Sequence, residues 1–159
     1  MKKLLIRFRT AMLVFLTHRM ALPLIRRMRS SPNFDHDIED LSLLPDGSLG
    51  RDLYLFLEKR DLPLLPYYAR HDIKHVLLGY DTTDEGEACL QSFMLGNGRI
   101  SFPVLATVLF GFITMPEHWS KMKVAYRRGK ESNAFHHWSW NTMVWEPTSS
   151  LQEKIFNNE

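Results

Sequence analysis

The sequence predicts an all-α protein, a single compact multi-helix domain carrying an N-terminal basic amphipathic helix. Three observations support that expectation. Apolar residues recur at three- and four-residue spacing, and no run alternates in the manner of a strand. Capping and helix-breaking residues punctuate the chain at helix-length intervals. The 159 residues, 45% hydrophobic and 12% aromatic, suffice for a sizeable core and exclude a disordered chain.

The first element is the arm at residues 1–29. It holds eight of the twenty Lys and Arg and none of the eighteen Asp and Glu, so twelve bases face eighteen acids in the rest. The net charge of +2 therefore conceals a +8 arm on a −6 body. On a helical wheel Leu4, Leu5, Phe8, Met12 and Phe15 share one side, while Lys2, Lys3, Arg7 and Arg9 share the other. Two readings stand equally: contact with an anionic membrane surface, or packing on the body or a partner subunit. A membrane span is excluded, because the uncharged run covers only residues 10–17, against the ~20 apolar residues that crossing requires. Arginines interrupt the apolar region and no small-residue cleavage site follows, which argues against a signal peptide. An acidic body without a basic–aromatic pattern gives no support to a nucleic-acid partner.

Ser30-Ser31-Pro32-Asn33 breaks the arm, and Asp35, Asp37, Glu39 and Asp40 predict a solvated acidic linker over residues 30–40. The domain proper is residues 41–159. Ser48 caps a helix running to about Arg60, with Leu49, Leu53, Phe56 and Leu57 inward. Pro63 and Pro66 force an extended stretch that delivers Tyr67 and Tyr68 to the next helix.

That helix carries the most informative pattern, His71-Asp72-Ile73-Lys74-His75, with Glu87 following after eleven residues. Imidazoles at i and i+4 sit one turn apart on one face and can point at one ion. Taken singly, each histidine reads as a partly buried helix-face residue; the conjunction favours a metal site. Gly79 ends the helix, and Asp84 reads as the cap of the next, which leaves Glu87 two roles, third ligand or capping-box acid. Asp72 points about 100° away from His71 around the axis. Its role stays open between ligand, partner to an imidazole and general base. Two imidazoles with one or two carboxylates suit a divalent metal, zinc first and iron or manganese next, and make a poor calcium cage.

A helix over residues 85–95 buries Cys89, Leu90, Phe93 and Met94 and ends at Gly96-Asn97-Gly98. The lone Cys89 excludes an internal disulfide and reads as a reduced, buried thiol. Residues 104–115 carry no charge and predict a central core helix, in which Phe110, Gly111 and Phe112 are candidates to line a prenyl-tail channel. Thr114-Met115-Pro116-Glu117 reads as cap, first-turn proline and capping acid of a helix ending near Gly129, with Arg127, Arg128 and Lys130 at its end. His136 and His137 with Trp138, Trp140 and Trp145 predict a last aromatic helix. Adjacent histidines face different directions, so no second metal site is expected there. The chain has no internal repeat, glycine-rich phosphate loop or serine-nucleophile motif.

The His71-Asp72-x-x-His75 motif and Glu87 resemble the hallmark of the coenzyme Q (ubiquinone) biosynthesis family called Coq-four. The run Leu44-Pro45-Asp46-Gly47-Ser48-Leu49-Gly50-Arg51, then Leu78-Gly79, Gly86-Glu87, Ala125-Tyr126-x-x-Gly129 and Trp145-Glu146-Pro147 resemble family positions in the family's order, over about residues 41–155. The segment 30–40 has no counterpart, and the first 29 residues match only in being basic and apolar. The resemblance implies a mainly helical, peripheral membrane protein with His71, Asp72, His75 and Glu87 as metal ligands. It further implies Asp72 as the group that manages a proton, with Tyr126 beside Phe110, Gly111 and Phe112 at the substrate. The implied substrate is a polyprenylated aromatic acid or related isoprenoid lipid, decarboxylated and oxidised at ring carbon 1. Homodimerisation and the organisation of other quinone-biosynthesis proteins are also implied. The implied location is the cytoplasmic membrane surface in a bacterium, or the matrix side of the mitochondrial inner membrane in a eukaryote. Two alternatives are a non-catalytic isoprenoid-binding scaffold with a structural metal and a soluble metallohydrolase.

Overall fold

The computed structural model describes residues 34–157, so the basic arm lies outside the described residues. Within them are eight α-helices, one 3-10 turn and no strand. No helix among them is long and apolar enough to cross a membrane.

The stretch read as a solvated linker is docked from Phe34 onward, and this corrects the expectation. Phe34 is buried, Asp35 exchanges hydrogen bonds with the Asn141 side chain, and His36 Nε2 pairs with the Asn141 carbonyl. Asp37 and Asp40 form a reciprocal capping box that starts α1 (Ile38–Ser42), so two acids have a backbone role while their side chains stay in solvent. The sequence-level count of charge missed the buried aromatic that anchors the segment.

Ser48 caps α2 (Leu49–Glu58), which turns Leu49, Leu53 and Leu57 inward as expected. Its start is tied to the segment before the last helix: Leu49 and Gly50 donate to the Glu146 and Val144 carbonyls, and Thr148 donates to Gly47. Helix α3 (Ala69–Leu78) ends at Gly79, whose φ of 72° lies in the left-handed region that a Cβ disfavours. Helix α4 (Asp84–Gly96) starts at Thr83, whose hydroxyl accepts from Gly86; Asp84 is its first residue and not the cap.

Helix α5 (Phe102–Thr114) is followed by a 3-10 turn (Pro116–His118) and α6 (Trp119–Lys130). Thr114 belongs to α5, its hydroxyl bonding back to the Phe110 carbonyl, so it does not start the next helix. Helices α4 and α6 cross with almost no side chain between them. A Cβ added at Gly96 would overlap the Tyr126 carbonyl, and one at Gly129 would overlap the carbonyl of Phe93. Asn97 fastens the same crossing, its amide donating to the carbonyls of Gly129, Ser132 and Asn133.

Two further expectations are corrected. The uncharged run at 104–115 is not a central core helix: in α5 only Val104 and Gly111 are buried, while Phe102, Leu105, Leu109, Phe112 and Ile113 are exposed. Hydropathy measures what a helix prefers, and here no other described element covers its outer side. The last aromatic helix is likewise absent. Residues 133–139 are irregular, because Phe135 plunges fully into the core and Asn133 bonds to the end of the final helix. One short turn, α7 (Trp140–Met143), precedes α8 (Thr148–Phe156), which buries Leu151 and Ile155 and was not anticipated.

Candidate metal centre

Helix α3 is polar for a buried element. His75 and Asp72 are almost inaccessible, and Ile73 and Leu77 fill the core beneath them. The Gly79–Thr83 turn folds α4 back so that Glu87, on its first turn, faces α3. Because Thr83 caps α4, no capping box engages Glu87, and its carboxylate lies against the Nε2 atoms of both histidines instead. Of the two roles that the sequence left open for Glu87, the capping-box acid is thereby excluded.

Three potential ligand atoms converge. His71 Nε2 and His75 Nε2 are 3.0 Å apart, and Glu87 Oε1 lies 3.1 Å from the first and 3.0 Å from the second. Such a triangle is close to the ~3.3 Å ligand–ligand edge of a tetrahedral site with bonds of about 2.05 Å. The three residues form a group able to hold a metal ion. His75 Nδ1–H donates to the Tyr80 carbonyl at 3.0 Å, which leaves Nε2 of the neutral ring with its lone pair toward the centre. With that tautomer a proton on His71 can serve only the two edges that include His71, and the His75–Glu87 edge has none, whereas a divalent cation satisfies all three lone pairs. The residues present therefore fit a metal.

The electrostatics agree. Burial pushes the His71 pKa down and outweighs the attraction of Glu87, so this ring is neutral and able to ligate. Burial also acts to lower His75, but the hydrogen bond and charge of Glu87 and the Tyr80 carbonyl raise it overall. Burial would raise Glu87; the two histidines overcome it and hold the carboxyl well below the usual range. Asp72 behaves differently. It is not in the converging group, and burial pushes its carboxyl up to about 7, opposed by the charge of His75.

Neighbours outside the motif shape the site. The Phe56 ring stacks on His75 at 5.8 Å, and the Arg60 guanidinium lies over the same ring, 3.8 Å from its centre. Tyr68, which the prolines were expected to deliver, sits 4.5 Å from the His71 ring. Burial, reinforced by Glu87 and Asp72, keeps its phenol protonated and so a hydrogen-bond donor. The place of Phe56 against His75 is visible only in space, and the Tyr80 carbonyl has no side-chain signature at all.

The trio opens to solvent unevenly: the side chains of His71 and Glu87 are 15% and 29% exposed, and that of His75 is sealed. A cavity of about 700 Å³, bordered by Phe56, Lys59, Arg60 and Tyr80, reaches His75 but neither of the other two. A second cavity of about 480 Å³ lies among Tyr80, Glu85, Cys89, Lys121 and Arg128. Cys89 there is buried, and its thiol is pushed up to about 11 by that burial, which keeps it unreactive.

Neither cavity is lined by Phe110, Gly111, Phe112 or Tyr126. Phe112 and Tyr126 are exposed on the outer surface. The space beside Gly111 is taken by Met122, Ala88 and Met115, all within 3.2 Å of an added Cβ, so this glycine serves helix packing.

Comparison with known proteins finds no matching family model and no matching curated protein. A crystal structure of a Nostoc punctiforme protein, whose name gives it a proposed role in ubiquinone biosynthesis, matches with a TM-score of 0.66. The two chains are 21% identical over 98% of this chain and 82% of that one. At that identity the likeness establishes a shared all-α fold.

Proposed function

We propose that this chain is a metal-dependent protein of ubiquinone or related prenylquinone biosynthesis that acts on a polyprenylated aromatic acid. The observation that carries the reading is the convergence of His71 Nε2, His75 Nε2 and Glu87 Oε1 on one point. The pathway is supported by the motif resemblance and by the fold shared with a protein named for that role.

His71, His75 and Glu87 would hold the ion, with zinc the first expectation and iron or manganese next. A bound divalent metal supplies a Lewis acid and, as iron or manganese, a redox partner for dioxygen. With three protein ligands the ion would stay accessible to substrate, and His71 and Glu87 are the members of the trio that meet solvent. Tyr68, beside His71, would be a hydrogen-bond donor to a substrate oxygen. Asp72, with a carboxyl that titrates near neutrality, is suited to hold or release the proton. The net change exchanges a ring carbon–carboxylate bond for a carbon–oxygen bond and releases carbon dioxide. It consumes dioxygen, two electrons and two protons, the second oxygen atom leaving as water.

The test supplies metal-loaded protein with a short-chain prenylated hydroxybenzoate labelled at its carboxyl carbon, dioxygen and a reductant. Metal-dependent release of labelled carbon dioxide, abolished in His75→Ala, is the expected result. Absence of release with zinc, iron or manganese, accompanied by tight lipid binding, would replace the enzyme by the non-catalytic isoprenoid-binding scaffold. The exposed apolar side of α5 is the observation that favours that second reading.

A further inference from the structure

The outer side of α5 is the largest departure from expectation in this molecule. Phe102, Leu105, Leu109, Phe112 and Ile113 follow positions i, i+3, i+7, i+10 and i+11 and form one stripe. Phe102 is 74% exposed, Leu109 59% and Ile113 68%. Ile100 continues the stripe before the helix. A row of large apolar side chains in water signals a partner.

The adjoining helix says what kind. Helix α6 carries Lys121, Lys123, Arg127, Arg128 and Lys130 and no acid, although the chain beyond residue 29 has more acids than bases. The five bases divide by side. Lys121 is held by Glu85 at 2.6 Å, and Arg128 donates to the Leu78 carbonyl and covers the Phe156 ring. Lys123, Arg127 and Lys130 are exposed and have no acidic partner among the described residues. They lie on the side of α6 that also carries Trp119 and Tyr126. Trp119 joins this side to the stripe: its ring stacks on Phe112 at 4.6 Å and its Nε1–H donates to the Phe112 carbonyl.

We propose that the α5 stripe and the basic side of α6 together form a docking face for a bilayer surface that carries anionic lipid. Apolar side chains enter the headgroup boundary while Lys123, Arg127 and Lys130 meet phosphates beside them, and Trp119 and Tyr126 sit between the two zones. Helix α5 has 13 residues, about 20 Å at 1.5 Å each against a hydrocarbon core of about 30 Å, so it lies along the surface and does not cross. A second copy of the chain is the poorer occupant. A two-fold contact through the stripe would draw two basic rows toward one interface, with no acid in α5 or α6 to meet them. The inference deepens the lipid side of the proposed function, and metal content read on the same variants keeps the two separate.

The test is flotation of the full chain with phosphatidylcholine vesicles, with and without phosphatidylglycerol, at low and high salt. Wild type should float with the anionic vesicles and lose binding as salt rises. Leu109→Ser/Ile113→Ser should lower the partition coefficient at least about tenfold. Lys123→Gln/Arg127→Gln/Lys130→Gln should lower the preference for phosphatidylglycerol and reduce the salt slope by about three charges, leaving what the basic arm contributes. Both variants should keep wild-type helicity, mass and metal content. Brominated lipid should quench tryptophan emission in wild type and quench it much less in Trp119→Phe. Three results would overturn the proposal: no flotation of wild type, unchanged partition in both variants, or a serine variant that binds normally but changes from dimer to monomer. The last would give this face to a second copy.

Discussion

Helices α3 and α5 invert the usual rule of burial, in opposite directions. Helix α3 spells Ala-Arg-His-Asp-Ile-Lys-His-Val-Leu-Leu, yet it buries His75 and Asp72. Helix α5 is uncharged throughout, yet it buries only Val104 and Gly111. A buried polar group and an exposed apolar row are each costly in isolation. On the reading proposed above, a cation among the converging side chains offsets the first cost on α3, and a bilayer surface offsets the second on α5.

The largest expected effect breaks the α3 side. His75→Ala removes one of three ligands and should weaken metal affinity on the order of a hundredfold or more, read by competition with a chelating dye. In wild type, metal must displace the proton that His75 holds more tightly than a free imidazole. Affinity should therefore fall as pH is lowered through that raised value, while Glu87 remains ionised throughout.

A matched pair of leucines sharpens the contrast. Leu77→Ala on α3 deletes a fully buried side chain and should cost about 2–5 kcal/mol in urea denaturation. Leu109→Ala on α5 should fall within about 0.5 kcal/mol, because that side chain already faces water. Equal losses would mean that α5 is covered in the folded protein.

Asp72 gives a smaller effect with a defined sign. Burial pushes its folded-state carboxyl up to about 7, so the folded state holds the proton more tightly than the unfolded chain does. Metal-free stability should then decline as pH rises from about 4 to about 7 and level off above. Asp72→Asn should remove that slope, with a gain at pH 8 on the order of a few kcal/mol. A metal-free wild type with no such slope would show that Asp72 is solvated or partnered. Smallest is Thr83→Ala, which deletes the cap of α4 and should cost about 1 kcal/mol of stability by thermal melting. It should also loosen Glu87 and lower metal affinity slightly.

Much of this was legible because it is local. Ser48 and Gly79 mark helix ends by their own chemistry, and the i, i+4 spacing of His71 and His75 fixes their shared face before any tertiary contact is known. Glu87 was ambiguous only because Asp84 and Thr83 are both able to cap, and the choice between them decides where a glutamate points. The illegible parts depend on distant partners. Phe34 and Phe135 anchor irregular segments by inserting into a core built elsewhere, and hydropathy assigned α5 to the interior without knowing how many neighbours would cover it. The Tyr80 carbonyl that sets the His75 tautomer is backbone, and composition carries no trace of it.

The most direct test is elemental analysis of purified wild type beside His71→Ala/His75→Ala, with helicity recorded for both. The account predicts about one divalent metal ion per wild-type chain and none in a double variant that remains folded. Wild type without metal after resupply, or a folded double variant that retains it, would contradict the metal centre and reduce the three converging side chains to a packing contact between α3 and α4.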